Sequence, residues 1–173
     1  MTPSTTLAFA GSPPHGDRRL RVFPSPGPHN ALWYWPQVKR RRTVAKNVLL
    51  MRAAKVWPTM EGRVRLLRMM GSKVGAHVSW GLDATMDVLV PELVTIGDEA
   101  IVGYGTLILA HEFLQREYRL GEVEIGERAV IGANSTILAG VRVAPDSVVA
   151  AGSLVNRDVD GFVAGVPARP VRR

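Results

Sequence analysis

The sequence predicts a mainly β protein: a three-sided parallel β-helix, preceded by a basic helical segment and a Pro/Gly-rich tail. Three observations predict it. An aliphatic residue recurs at every sixth position from residue 90 onward. A small or β-branched residue follows most of these four places later. The charge of the chain also reverses sign where the repeats begin. The net charge of +7 divides into +12 over residues 1–73 and −5 over residues 74–173.

Residues 1–30 are rich in Pro, Gly, Ser and Thr, including Pro13-Pro14 and the run Pro24-Ser25-Pro26-Gly27-Pro28. Such a composition buries little apolar surface, and the expectation is a disordered or loosely draped tail. Residues 31–71 form a basic helical segment. Trp33, Tyr34 and Trp35 precede Pro36 and the run Lys39-Arg40-Arg41-Arg42. Val44, Val48, Leu49, Met51 and Val56 fit a helix over residues 43–57, which Pro58 ends. A second helix is expected from Thr59 to Met70, with Gly71 as its stop. These helices pack on the core or a neighbouring subunit, or lie on an anionic membrane surface.

Residues 72–173 carry the repeat. The anchors are Val90, Ile96, Val102 and Ile108, then Ile125, Ile131, Ile137, Val143, Val149 and Val155. The residues four places on run Val94, Ala100, Thr106, Ala129, Ser135, Val141, Ser147, Ser153 and Val159, with Glu112 the exception. Neither a helix at 3.6 residues per turn nor an antiparallel strand at period two explains a period of six. A hexamer that is one short strand and one turn does, with three hexamers closing a triangular coil. A single hexamer cannot bury its apolar face, whereas a stack of coils can.

Two gaps interrupt the period. Val74 resembles an earlier anchor, but Ile96 is 22 residues on, so an irregular turn is expected near 80–89. Ile108 to Ile125 is 17 residues, five more than two hexamers, so a loop is expected to leave the prism between about 112 and 122. Loops that depart from a rigid repeat are where function concentrates. His111 stands at the root of this one.

The run from Ile125 to Val141, the segment Ala151-Gly152-Ser153-Leu154-Val155-Asn156-Arg157-Asp158-Val159 and the closing Ala164-Gly165-Val166-Pro167-Ala168-Arg169 carry a family resemblance. Over residues 66–173 the chain resembles the hexapeptide-repeat acyltransferases, such as the maltose, galactoside and xenobiotic O-acetyltransferases. The resemblance implies a left-handed parallel β-helix, against the general right-handed preference of parallel crossovers. It also implies a homotrimer with active sites between subunits, and acetyl-CoA as co-substrate with no metal required for the chemistry.

Acyl transfer to a hydroxyl needs a base for its proton, and histidine suits that role. Of the four histidines, His15 and His29 lie in the tail and His77 in an early hexamer. His111 sits where the family places its general base. Glu112, Glu117 or a backbone carbonyl are candidates to orient its imidazole. By the same resemblance Ala133, Ala151, Asn156 and Arg157 line the coenzyme cleft, with Arg169 and Arg172 near its phosphates. Tyr104 and Glu112, with His77, Trp80 and the 112–122 loop, are the candidate acceptor walls. Asn156 departs from the threonine often found at its place.

The reaction expected is therefore acetyl transfer to a hydroxyl or amine of a small, sugar-like acceptor in a ternary complex. The absence of cysteine excludes thiolate chemistry and disulfides, and is compatible with a cytoplasmic protein, at most peripheral at the inner face of the membrane. The basic character belongs to the N-terminal segments, so nucleic acid is not an expected partner. The alternative reading is an inactive repeat scaffold that binds a partner or membrane through its basic N-terminus. A zinc site of the kind built from three interfacial histidines finds only His77 and His111 in the repeat region.

Overall fold

The computed structural model describes residues 17–171. Short strands, all parallel save the last, Ala168–Pro170, stack into three sheets of four, six and four strands, the faces of a triangular prism. Each face carries one inward column of anchors in register. The first column is Val74, Ile96, Ile125 and Val143, continued by a bridge to Val159. The second is Trp80, Val102, Ile131, Val149 and Val163. The third is Met86, Ile108, Ile137 and Val155. All are buried.

The period of six explains why these strands are only two or three residues long. Each turn at a prism corner must bend the chain sharply, and the corners hold Asp83, Glu99, Arg128, Asn134 and Asp146 at φ between 55° and 58°. Small residues follow because coils stack backbone on backbone. A Cβ added at Gly132 would lie 2.3 Å from Ala151 N of the next coil.

The prism begins earlier than the expected anchors. Val74, Trp80 and Met86 already form a full coil, and Trp80 is wholly buried in its column. Trp80 is therefore core and not an acceptor wall. The irregular turn follows Met86 and not residue 80. It runs through Asp87 to Val90 and the 3-10 turn Pro91–Leu93. Val90 is buried in that turn, off the strands, and caps it.

The second gap is also larger than its arithmetic suggested. Ile108 to Ile125 spans one step between faces, so eleven residues leave the prism instead of five. They form a hairpin of strands His111–Phe113 and Glu117–Leu120. The tail expectation fails over some of its range. Arg21–Pro24 is a strand that pairs antiparallel with Glu117–Leu120, giving a three-stranded sheet beside the prism. Residues 1–16, with His15, lie outside the described residues.

The segment before the prism holds three helices, α1 (Trp35–Val38), α2 (Arg41–Val56) and α3 (Met60–Met70), of which α2 and α3 pack on the first coil. The Thr59 side chain accepts from Gly62 N at the start of α3, and Gly71 closes it at φ 114°. Buried Arg63 donates to Trp57 O and Trp80 O, tying α3 to the open end of the prism. On α2, buried Asn47 donates to Val88 O at 2.9 Å, and Met51 Sδ accepts from Met86 N. The helical segment thus holds the irregular turn that follows Met86.

Candidate functional site

The site forms where that turn meets the root of the hairpin. Met86 and Ile108 are paired neighbours in one column, so the residues that follow them meet at the same corner. Asp87 is 2% exposed there. Its Oδ1 accepts from Leu89 N and Val90 N, and its Oδ2 accepts from Ala110 N. Oδ2 also lies 2.5 Å from His111 Nδ1.

Burial opposes ionisation of Asp87, but it is outweighed. The hydrogen bond and charge of His111, with the N–H groups of Val90 and Ala110, hold the carboxyl below its usual range. An ionised carboxylate can only accept, so Nδ1 carries the proton it donates. The lone pair of the neutral ring is then on Nε2. The imidazole keeps 22% of its side-chain surface, so one edge is fixed by Asp87 while another meets solvent. Phe113 packs edge-on against it at 5.2 Å.

Asp87 is the residue the sequence reading missed. Neither Glu112 nor Glu117 touches the imidazole. Glu117 is 1% exposed and pairs with Arg119, and Glu112 pairs with Arg18 and Arg119. Strand alternation explains this, because His111 and Phe113 share one face of the hairpin and Glu112 takes the other. The spacing Val74–Trp80–Met86 was the available signal. It places Asp87 one residue past an anchor, as Leu109 is past Ile108. A tryptophan and a methionine do not look like hexamer anchors, which hid the coil.

The remaining candidates divide between two corners of the prism. Asn156 and Arg157 follow Val155 on the same corner line as His111, two coils further on. Asn156 Oδ1 is buried and, among the described residues, has no hydrogen-bond partner. Tyr104, Ala133 and Ala151 stack on a different corner, linked by Asn134 N to Tyr104 O and Gly152 N to Ala133 O. Asp83 accepts from the Tyr104 hydroxyl there and raises the phenol above its ordinary pKa. One protomer therefore does not bring these three to His111. Arg169 is exposed on the last strand, and Arg172 lies outside the described residues. His77 is exposed at the third corner, in a groove of about 1060 Å³ shared with Trp57, Met60 and Arg65 of the helical segment.

A prism of stacked hexamers with an extruded hairpin, rooted where buried Asp87 meets part-exposed His111, has the fold of the left-handed parallel β-helix acetyltransferases. The chain belongs to the hexapeptide-repeat acetyltransferase family. A family model described as bacterial transferase hexapeptide (six repeats) matches residues 122–157. The protein called "Putative acetyltransferase YvoF" of Bacillus subtilis (strain 168) is 43% identical over 143 residues, 81% of this chain and 83% of that one. SAR0816 of Staphylococcus aureus (strain MRSA252), which bears the same description, is 35% identical over 153 residues, 86% and 95% of the two chains. Among solved structures, the fold matches the hexapeptide-repeat acetyltransferase VCA0836 of Vibrio cholerae complexed with acetyl-CoA. The TM-score is 0.60 at 22% identity, covering 76% of this chain and 86% of that one. A galactoside acetyltransferase in complex with coenzyme A matches with TM-score 0.60 at 21% identity, covering 76% and 80%.

Proposed function

We propose that the protein transfers an acetyl group from acetyl-CoA to a hydroxyl or amine of a small, sugar-like acceptor, with His111 as general base. The observation that carries this reading is the Asp87–His111 pair. Its tautomer leaves Nε2 free to take the acceptor proton as the acceptor oxygen attacks the thioester carbonyl. The tetrahedral intermediate collapses by expelling the CoA thiolate, which takes the proton back from Nε2. Asp87 stabilises the imidazolium between these two steps without itself being protonated, the same division of labour as in a Ser-His-Asp triad. Direct transfer in a ternary complex needs no covalent enzyme intermediate.

The split of the candidate residues between two corners supports a homotrimer. A neighbouring prism would bring its Ala133 and Ala151 line against the His111 line, forming a groove for the pantetheine arm. The buried Asn156 Oδ1 is an acceptor that an amide N–H of that arm can satisfy. Arg157, Arg169 and Arg172 supply cations for the phosphates. Tyr104 stands on the same corner line as Ala133 and belongs to the acceptor side of that groove. Glu112, committed to Arg18 and Arg119, does not.

A peripheral membrane role is supported by the outer face of α2. Leu49 and Val56 are 67% and 74% exposed there, flanked by Arg42, Lys46 and Arg52. Among the described residues no helix is long and apolar enough to cross a membrane. Sedimentation with phosphatidylglycerol vesicles tests the role. Leu49→Asp with Val56→Asp is expected to abolish binding, and equal binding by the variant removes it.

The catalytic reading is tested by thiol release from acetyl-CoA across a panel of sugars and amines. Acceptor-dependent release that His111→Ala abolishes supports it. No release with any acceptor favours the inactive scaffold.

A further inference from the structure

The segment before α1 is stitched along the whole catalytic hairpin. Arg19 N donates to Gly140 O at the hairpin's root. Arg21–Pro24 pairs residue for residue with Glu117–Leu120. Ser25 N donates to Arg116 O, and Ala31 N to Leu114 O, at its tip. An isolated two-stranded hairpin is marginal in water, and this third strand completes a sheet. The face of that sheet opposite His111 is ionic and largely shielded from solvent. Glu112, Glu117, Arg119 and Arg18 meet there, with side chains 18%, 1%, 3% and 7% exposed. Arg18 donates to Glu112 across 94 residues of sequence and to Ala139 O at 3.2 Å.

We infer that Arg18 is a positioning residue for catalysis, balancing the charge of Glu112 on the strand that carries His111 and locking the hairpin to the prism. The inference rests on His111 being the base. Buried Glu117 and half-buried Glu112 against Arg119 alone would leave one largely desolvated negative charge without compensation, and such a charge is costly. With Arg18 in place the four groups are neutral together, and the anion that acts on the imidazole is Asp87. The other charged group on the His111 face of this sheet is Arg21, which is exposed on the outer strand. On the prism side, the turn after Met86 contributes Asp87, and α2 behind it presents uncharged Asn47.

Steady-state kinetics of the full-length chain against pH test this. Arg18→Met should lower kcat by about tenfold or more while the KM for acetyl-CoA changes little. It should also move the acid limb of the pH–rate profile upward by about half a unit, the effect of one added negative charge several Å away. Glu112→Gln should move that limb the opposite way. The Arg18→Met/Glu112→Gln double variant should recover the wild-type limb and most of kcat, and Arg18→Lys should retain both. Coincident limbs in Arg18→Met and wild type, or a double variant no better than Arg18→Met, overturn the inference. Should Arg18→Met not fold, an unmoved limb in Glu112→Gln overturns it equally. His111→Ala, run alongside, separates the two claims. If that variant is slow while all limbs coincide, only the role of Arg18 falls. If it is fast, the base assignment falls first.

Discussion

At the scale of single residues, the pairing of Asp87 with His111 decides what the corner can do. An imidazole free to rotate, or protonated on Nε2 in its neutral form, is a poor base for a hydroxyl held on one side of it. Three backbone N–H groups fix the carboxylate, and the carboxylate fixes the ring. His111→Ala should lower turnover by about 10²–10⁴-fold, with acetyl-CoA binding retained, as measured by thiol release and by calorimetric titration with CoA. Asp87→Asn should be nearly as damaging, since an amide can present its N–H to Nδ1 and select the wrong tautomer. The same carboxylate gives a stability signature. Its folded pKa lies below its unfolded one, so its contribution is full above the usual carboxylate range and is lost as pH falls through the folded pKa. Denaturation midpoints of wild type and Asp87→Asn should therefore differ near neutrality and converge in acid. A constant gap down to about pH 2 would contradict the assigned direction. The imidazole was legible in the sequence, because a histidine at the edge of a broken period stands out. Its partner was not, because Asp87 is 24 residues away and is brought near only by coil stacking.

At the scale of elements, the prism is a set of columns in which each anchor touches the one a coil away. Ile131 is fully buried between Val102 and Val149. Ile131→Ala should cost about 2–5 kcal/mol in urea denaturation, and Ile131→Asp should prevent folding. Gly132 is a sharper probe of the stacking. Its corner passes so close to Ala151 that Gly132→Ala must push neighbouring coils apart, so a loss of about 1–3 kcal/mol is expected from one methyl group. Equal stability would contradict the close approach. Most of these elements were legible, because aliphatic anchors at period six admit few other folds. The exceptions have physical causes. Trp80 and Met86 fill the first coil under the helices, at the ends of their sheets, where large side chains replace a missing neighbour. The strand Arg21–Pro24 has no apolar period of its own and forms by pairing with the hairpin, a long-range contact that local composition cannot announce. The hairpin was read as a loop because its strands alternate charge with aromatic residues, and its ionic face is buried by Arg18.

At the scale of the molecule, the proposed site is divided. One corner carries Asp87, His111 and Asn156, and another carries Tyr104, Ala133 and Ala151, so the proposed groove would need two prisms side by side. Subunit mixing tests the division. His111→Ala and Ala151→Trp, each inactive alone, should regain some activity when unfolded and refolded together, since certain grooves then take both intact halves. No regain would place the whole site in one chain. The most direct test of the divided site is a crystal structure with CoA bound. The expected result is a thiol within about 3–3.5 Å of His111 Nε2 of one subunit, with the pantetheine arm along Ala133 and Ala151 of the next. CoA bound with its sulfur remote from His111, or His111 turned away from every groove between subunits, would contradict it.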